Sequence, residues 1–189
     1  MKKIIVLAAA TFLAITATQA QTQQEVAVRK DIKELKKEEK TERKSLRKLE
    51  GNDVSVQSKD QFNIDFGNVP NVQWKRSGYF DEAVFTQNGI TQKAFYDFNS
   101  NLVGIVIPKT FADLPKNAQK HINKKYNNYK IDRVILYDDN ESNDTDMILY
   151  GTQFDDADNY FVELSEPGKK LILMVAKDGN VTFFKEMKG

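Results

Sequence analysis

An internal repeat constrains this chain more than any other feature. Residues 83–85 lead into a turn at Asn88 and Gly89, a strand through Phe95 and Tyr96, and then Asn101 and Leu102. About 79 residues further on, residues 162–164 lead into a turn at Pro167 and Gly168, a strand through Met174 and Val175, and then Asn180 and Val181. Each copy follows a segment that reads as a helix. A repeated unit of one helix and its hairpins is a scaffold that presents a sheet, and such scaffolds are built to bind.

The N-terminus reads as an address. Lys2 and Lys3 form a positive start, residues 4–15 an apolar run of signal-peptide length, and Thr18-Gln19-Ala20 a small-x-small cleavage site. Residues 1–20 are therefore expected to be removed near Ala20, leaving a periplasmic or secreted chain. The apolar run is too short to span a bilayer, and no later segment reads as transmembrane. The chain has no cysteine, which excludes disulfides, thiol catalysis and cysteine-ligated metals. Residues 21–50 carry 10 Lys and Arg against 7 Asp and Glu, and residues 51–189 carry 16 against 20. That is not the basic field of a nucleic-acid binder.

Residues 25–49 contain neither Gly nor Pro and follow a helical period. Val28, Ile32, Leu35, Glu39, Glu42, Leu46 and Leu49 form a heptad seam whose middle is carboxylate. A solvated, charged helix is the plain reading; self-association through residues 25–49 is the alternative. The 139 residues from Gly51 on suit one domain, burying roughly two-thirds of its extended-chain surface. Ser58 and Gln61 have capping-box spacing ahead of Phe62 and Phe66. Strands follow at 72–75, 79–86, 90–98 and 102–107, with Asn88 and Gly89 as a two-residue hairpin turn. The second helix is expected to start at Asp113, with Pro115 in its first turn. Strands are then expected at 130–137, 147–150, 160–164, 171–176 and 181–184. Helix, four strands, helix and four or five strands make an α+β arrangement with an antiparallel sheet.

No catalytic constellation emerges. His121 stands alone on the second helix, without the partners that a zinc site or a triad requires. Oxygen side chains recur at Asp138, Asn140 and Asp144 in calcium-loop fashion, but Asn143 replaces the glycine and Leu149 the bidentate glutamate. A solvated loop is the better reading. No carboxylate lies within an apolar run that would raise its pKa. No phosphate-cradling loop or dinucleotide fingerprint is present, and no cofactor is implied. What remains is an excess of aromatic and apolar residues on the strands. Neighbours such as Phe95 and Tyr96 must point to opposite faces, and residues 171–176 are apolar on both. The second face is then either covered from within the molecule or left as a docking surface.

Phe62 and Phe66 on a short helix, then residues 69–74 with Trp74, then Tyr79 and the hairpin through Phe95 and Tyr96, are similar to the PepSY-like, β-lactamase-inhibitor-like secreted proteins of Bacteroidetes. Leu114-Pro115, Tyr126 and residues 177–181 match the same pattern, so the resemblance covers roughly residues 55–187. It implies two tandem helix-plus-four-strand units in one curved sheet, with helices behind and a concave face in front. The expected organisation is a signal peptide at 1–20, a charged helical segment at 21–50 and the duplicated domain at 51–189. The expected function is a non-enzymatic module that holds a protein or peptide, with Trp74, Tyr79, Phe95, Tyr96, Met174 and Phe184 as candidate anchors.

Overall fold

The computed structural model describes residues 28–30, 34, 35, 42, 45, 49, 51, 53–155 and 157–188. The described residues before Gly51 are helical, with Lys30 and Glu34 paired one turn apart at 4.0 Å. The signal at 1–20 and most of the heptad seam, Ile32, Glu39 and Leu46 included, lie outside the described residues.

From Val56 onward the two copies are plain. The first comprises α1 (Val56–Phe66), β1 (Gln73–Arg76), β2 (Asp81–Gln87), β3 (Ile90–Tyr96) and β4 (Leu102–Lys109). The second comprises α2 (Lys116–Lys125), β5 (Lys130–Asp139), β8 (Asn159–Glu166), β9 (Lys169–Ala176) and β10 (Val181–Lys188). Eight strands form one open, curved antiparallel sheet in the order β1-β2-β3-β4-β5-β8-β9-β10, four from each copy. Between β5 and β8 the second copy carries an insertion, the hairpin β6 (Met147–Leu149) and β7 (Thr152–Phe154), which forms a sheet of its own. Residues 147–150 therefore do not extend the main sheet as expected. Three-residue arms around a Tyr150-Gly151 turn, both at positive φ, suffice for a hairpin but not for a long ladder strand.

Alternation sorts the core into two layers. On the helix side, Leu114, Ala118 and Ile122 of α2 and its approach pack on Val134, Val162, Leu164, Leu171, Leu173 and Val175. Phe62 of α1 packs on Ala83, Phe85, Ala94 and Tyr96. Residues one position along, Ile135, Tyr137, Phe161 and Ile172, belong to a separate cluster on the opposite, front face.

Both helix starts differ from expectation. Ser55 caps α1, accepting from the Ser58 amide at 3.4 Å. That frees the buried Ser58 hydroxyl to donate to Asp81 at 2.9 Å. The cap thus sits three residues earlier because Ser58 is needed in the core. Asp113 closes a single 3-10 turn with Thr110, and Pro115 is the N-cap of α2.

Asp81 fastens the first copy together. Arg76 grips it through Nε at 2.7 Å and Nη2 at 2.9 Å, and the Ser55 amide donates at 3.1 Å, tying the α1 N-terminus to β1 and β2. Burial opposes the charge on Asp81, but the bonds from Arg76, Ser58 and Ser55 outweigh it and hold the carboxyl below its ordinary range. A carboxyl whose pKa is lowered by folding contributes stability above its unfolded value of about 4 and loses it as pH falls through the lowered one. Asp81→Asn removes the charge that Asp81 sets against Arg76, 5% exposed, while keeping the side chain's size. The expected cost is about 3–5 kcal/mol in urea unfolding at pH 7. Stability of the variant should fall less steeply than that of the wild type as pH is lowered below 4.

Candidate functional site

The sheet is covered on its helix side by α1 and α2, which leaves the front face. It divides into two halves. Over the second copy it is closed by β6 and β7. Phe154 sets its ring against Tyr137 at 5.2 Å, Phe161 at 5.0 Å and Phe184 at 5.9 Å, all edge-to-face. Met147 is fully buried beside them. Tyr150 reaches over Phe161 and Phe184, donates its hydroxyl to Glu163 at 2.9 Å, and accepts at its carbonyl from Lys185. Burial first, and then the Glu163 charge, push the Tyr150 hydroxyl well above a phenol's ordinary range, so it remains a donor.

Over the first copy the face is open. Its front positions read Gln73 and Lys75 on β1, Glu82, Val84 and Thr86 on β2, and Thr91, Lys93 and Phe95 on β3. The outer ones are polar and exposed. Where the open half meets the hairpin lies a cleft of about 220 Å³, floored by Phe95, Val106, Pro108, Ile135 and Leu149 and rimmed by Lys93 and Arg133. Lys93 pairs with Glu82 at 2.9 Å and lies 5.6 Å from the centre of the Phe95 ring. Arg133 holds Glu163 only loosely, at 3.8 Å.

The six candidate anchors do not gather on one surface. Tyr96 is fully buried and Trp74 half-buried on the helix side, where Trp74 meets Phe62 at 5.5 Å and Tyr96 at 6.0 Å. Tyr96 is not available to a partner, a correction set by register: it pairs with Asp81, and Trp74, which keeps part of its surface exposed, pairs with Ala83. Met174 and Phe184 face front but pack against the hairpin cluster. Phe95, 5% exposed, is cleft floor and not a projecting anchor. Only Tyr79 of the six is freely exposed, at 57%.

The polar loop before β6 has an architectural role. β4 carries a bulge that leaves Val103 unpaired between Leu102 and Gly104. Asn140 and Asn143 donate side-chain amides to the Leu102 carbonyl at 2.7 and 2.9 Å, and the Asn140 amide N–H bonds Val103. The Asn140 side-chain oxygen already accepts from Ser142. Among the described residues no three His, Cys, Asp or Glu side chains gather as a metal site would require. Asp138 is the one carboxyl whose pKa is raised, by burial and then by Asp158, but it faces the helix side opposite Ile105 and lines no part of the cleft. His121 is exposed on α2.

No family model matches the chain, and neither does any curated protein. The fold does have solved counterparts. A BLIP-like protein from Bacteroides fragilis NCTC 9343 is similar over 75% of this chain and 92% of its own, at 18% identity and a TM-score of 0.56. A DUF2874 family protein from Bacteroides uniformis ATCC 8492 is similar over 71% and 89%, at 12% identity and a TM-score of 0.57. A DUF2874 family protein from Bacteroides ovatus ATCC 8483 is similar over 73% and 89%, at 13% identity and a TM-score of 0.56. At these identities the likeness is one of fold, and function rests on the site itself.

Two substitutions separate the parts of the cover. Phe154→Ala is expected to cost about 3–5 kcal/mol and to make the folded protein bind a hydrophobic dye at the bared front face. Tyr150→Phe, which removes only the hydroxyl bond, should cost about 1 kcal/mol in urea unfolding and leave dye binding unchanged.

Proposed function

We propose that this protein is a non-enzymatic binding module of the periplasm or the cell exterior, cleaved near Ala20, in which residues 51–189 form the PepSY-like, β-lactamase-inhibitor-like domain. Its partner is a protein or peptide held on the front face of the first copy. One observation carries this reading: the two halves of the duplicated sheet are treated differently. The chain covers the aromatic half with its own hairpin, yet leaves the other half bare beside an apolar cleft rimmed by Lys93 and Arg133. A scaffold that needed only to be stable would gain by closing both halves. Among the residues that line the cleft there is no His, Cys, Asp or Glu, and that favours holding over turnover.

The test is affinity capture from the native envelope fraction. It compares mature 21–189, truncated 51–189, and a folded Val84→Glu/Thr91→Glu variant that places two carboxylates on the open face. The expected result is a partner retained by 51–189 and lost from the double variant. A partner that survives the double variant refutes docking on this face. One lost on truncation, or capture of the chain itself alone, would move the function to residues 25–49.

A further inference from the structure

The cleft beside the hairpin continues into a groove at the β1 edge that includes Pro70, Asn71, Gln73 and Thr86, and Val84 and Thr91 line both. The two form one trough crossing the strands from β1 to β5. Four strand spacings of about 4.8 Å give it a length near 19 Å, which an extended chain covers in about six residues at roughly 3.3 Å each.

The charges along this trough are layered. Glu82 and Glu163 lie low, each 14% exposed, while the cations above them are more open, Lys93 at 39% and Arg133 at 56%. Lys75, exposed on the same face and opposite Glu82 in the β1–β2 register, adds a third. Glu163 is further occupied by the Tyr150 hydroxyl, and its contact with Arg133 is 3.8 Å, too long for a hydrogen bond. An arriving chain therefore meets positive charge first, and at the cleft end it meets a guanidinium fork with donors to spare beside an apolar hole. Carboxylates suit that fork bidentately.

We infer that the trough takes an extended, acidic segment of a partner protein, about six residues long, that places one large apolar side chain in the cleft over Phe95, Val106 and Ile135 and a carboxylate on Arg133. This rests on the reading of the open half as the binding face. The closed half already shows the apolar part of the same arrangement, with Phe154 of the hairpin seated on Phe161.

The inference is tested by selecting phage-displayed random peptides on mature 21–189, with Arg133→Gln as comparison. Arg133→Gln removes the loose Glu163 contact and a charge near Tyr150, and matched melting temperatures would show that it folds. Expected are peptides with a large apolar residue and two or more Asp or Glu within about six positions, binding roughly tenfold more weakly to Arg133→Gln. Selection of peptides without acidic residues, of acidic peptides indifferent to Arg133→Gln, or of none would overturn it. The envelope capture keeps the two claims apart. A native partner lost from Val84→Glu/Thr91→Glu but held by Arg133→Gln leaves the binding face standing and removes the acidic segment. A partner held by both removes the face as well.

Discussion

A strand that is apolar on both sides obliges a protein to supply two covers, and β9 imposes that obligation here. Leu171, Leu173 and Val175 point to α2, while Ile172 and Met174 point the other way, joined by Phe161 and Phe184 from the flanking strands. Left wet, such a patch would forfeit about 25 cal/mol for every Å² of apolar surface and would invite association. The insertion between β5 and β8 is the answer to that requirement. An isolated two-stranded hairpin is marginal in water, so β6 and β7 owe their order to Phe161 and Phe184 as much as those rings owe their dryness to Phe154. Each element stabilises the other.

How much of this could be read from the sequence follows from the length of the pattern each element leaves. The repeat was legible because it spans whole strands and their turns: Asn88-Gly89 and Pro167-Gly168 mark equivalent hairpins, and both helices show their buried stripe. The requirement for a second cover was legible too, in the unbroken apolar run of 171–176. The cover itself was not. The run at 147–150 reads as a strand, but its partner arm, Thr152-Gln153-Phe154, is too short for a period to register, and both lie between stretches of Asp and Asn that look like solvated loop. The cover's turn signal is Tyr150-Gly151, with no following run long enough to give it meaning.

Which aromatics face outward was not legible either, for a different reason. The orientation of an aromatic on a strand depends on register, and register here is interrupted by bulges that only three-dimensional pairing reveals. Val103, Asp132 and Phe184 each stand as an extra residue in their strands. At Val103 the bulge allows Gly104 to lie flat beneath Tyr137, where an added Cβ would come within 2.6 Å of the ring. At Phe184 it turns a side chain in under the hairpin that simple alternation from Phe183 would place less securely. Tyr96, attractive as an anchor because it is large, is core for the same reason: rings of that size are where a two-layer domain finds its buried area, and half-buried Trp74 packs against it. The residues that line the open cleft, Val84, Lys93, Val106 and Arg133, had no individual signal, because each is ordinary on a half-exposed strand.

Duplication by itself yields two equivalent halves, and equivalence is what the insertion removes. Both copies keep their helix on the back of the sheet, so the back is alike from end to end. On the front, the second copy ends as core, stabilised by stacked rings and two polar clasps at Tyr150, whereas the first keeps the alternation of a solvated sheet, with Thr86, Thr91 and Lys75 facing outward. On the proposed reading, binding and stability are thereby allotted to different copies of one unit. Substitutions that rearrange the open half alter polar, exposed positions and should cost the fold little, since surface changes away from caps and cores lie within about 0.5 kcal/mol. The same changes beneath the hairpin would strike packed aromatics. On that reading, the scaffold can alter the exposed positions around its cleft, Lys75, Thr86 and Thr91 among them, without endangering what holds it together.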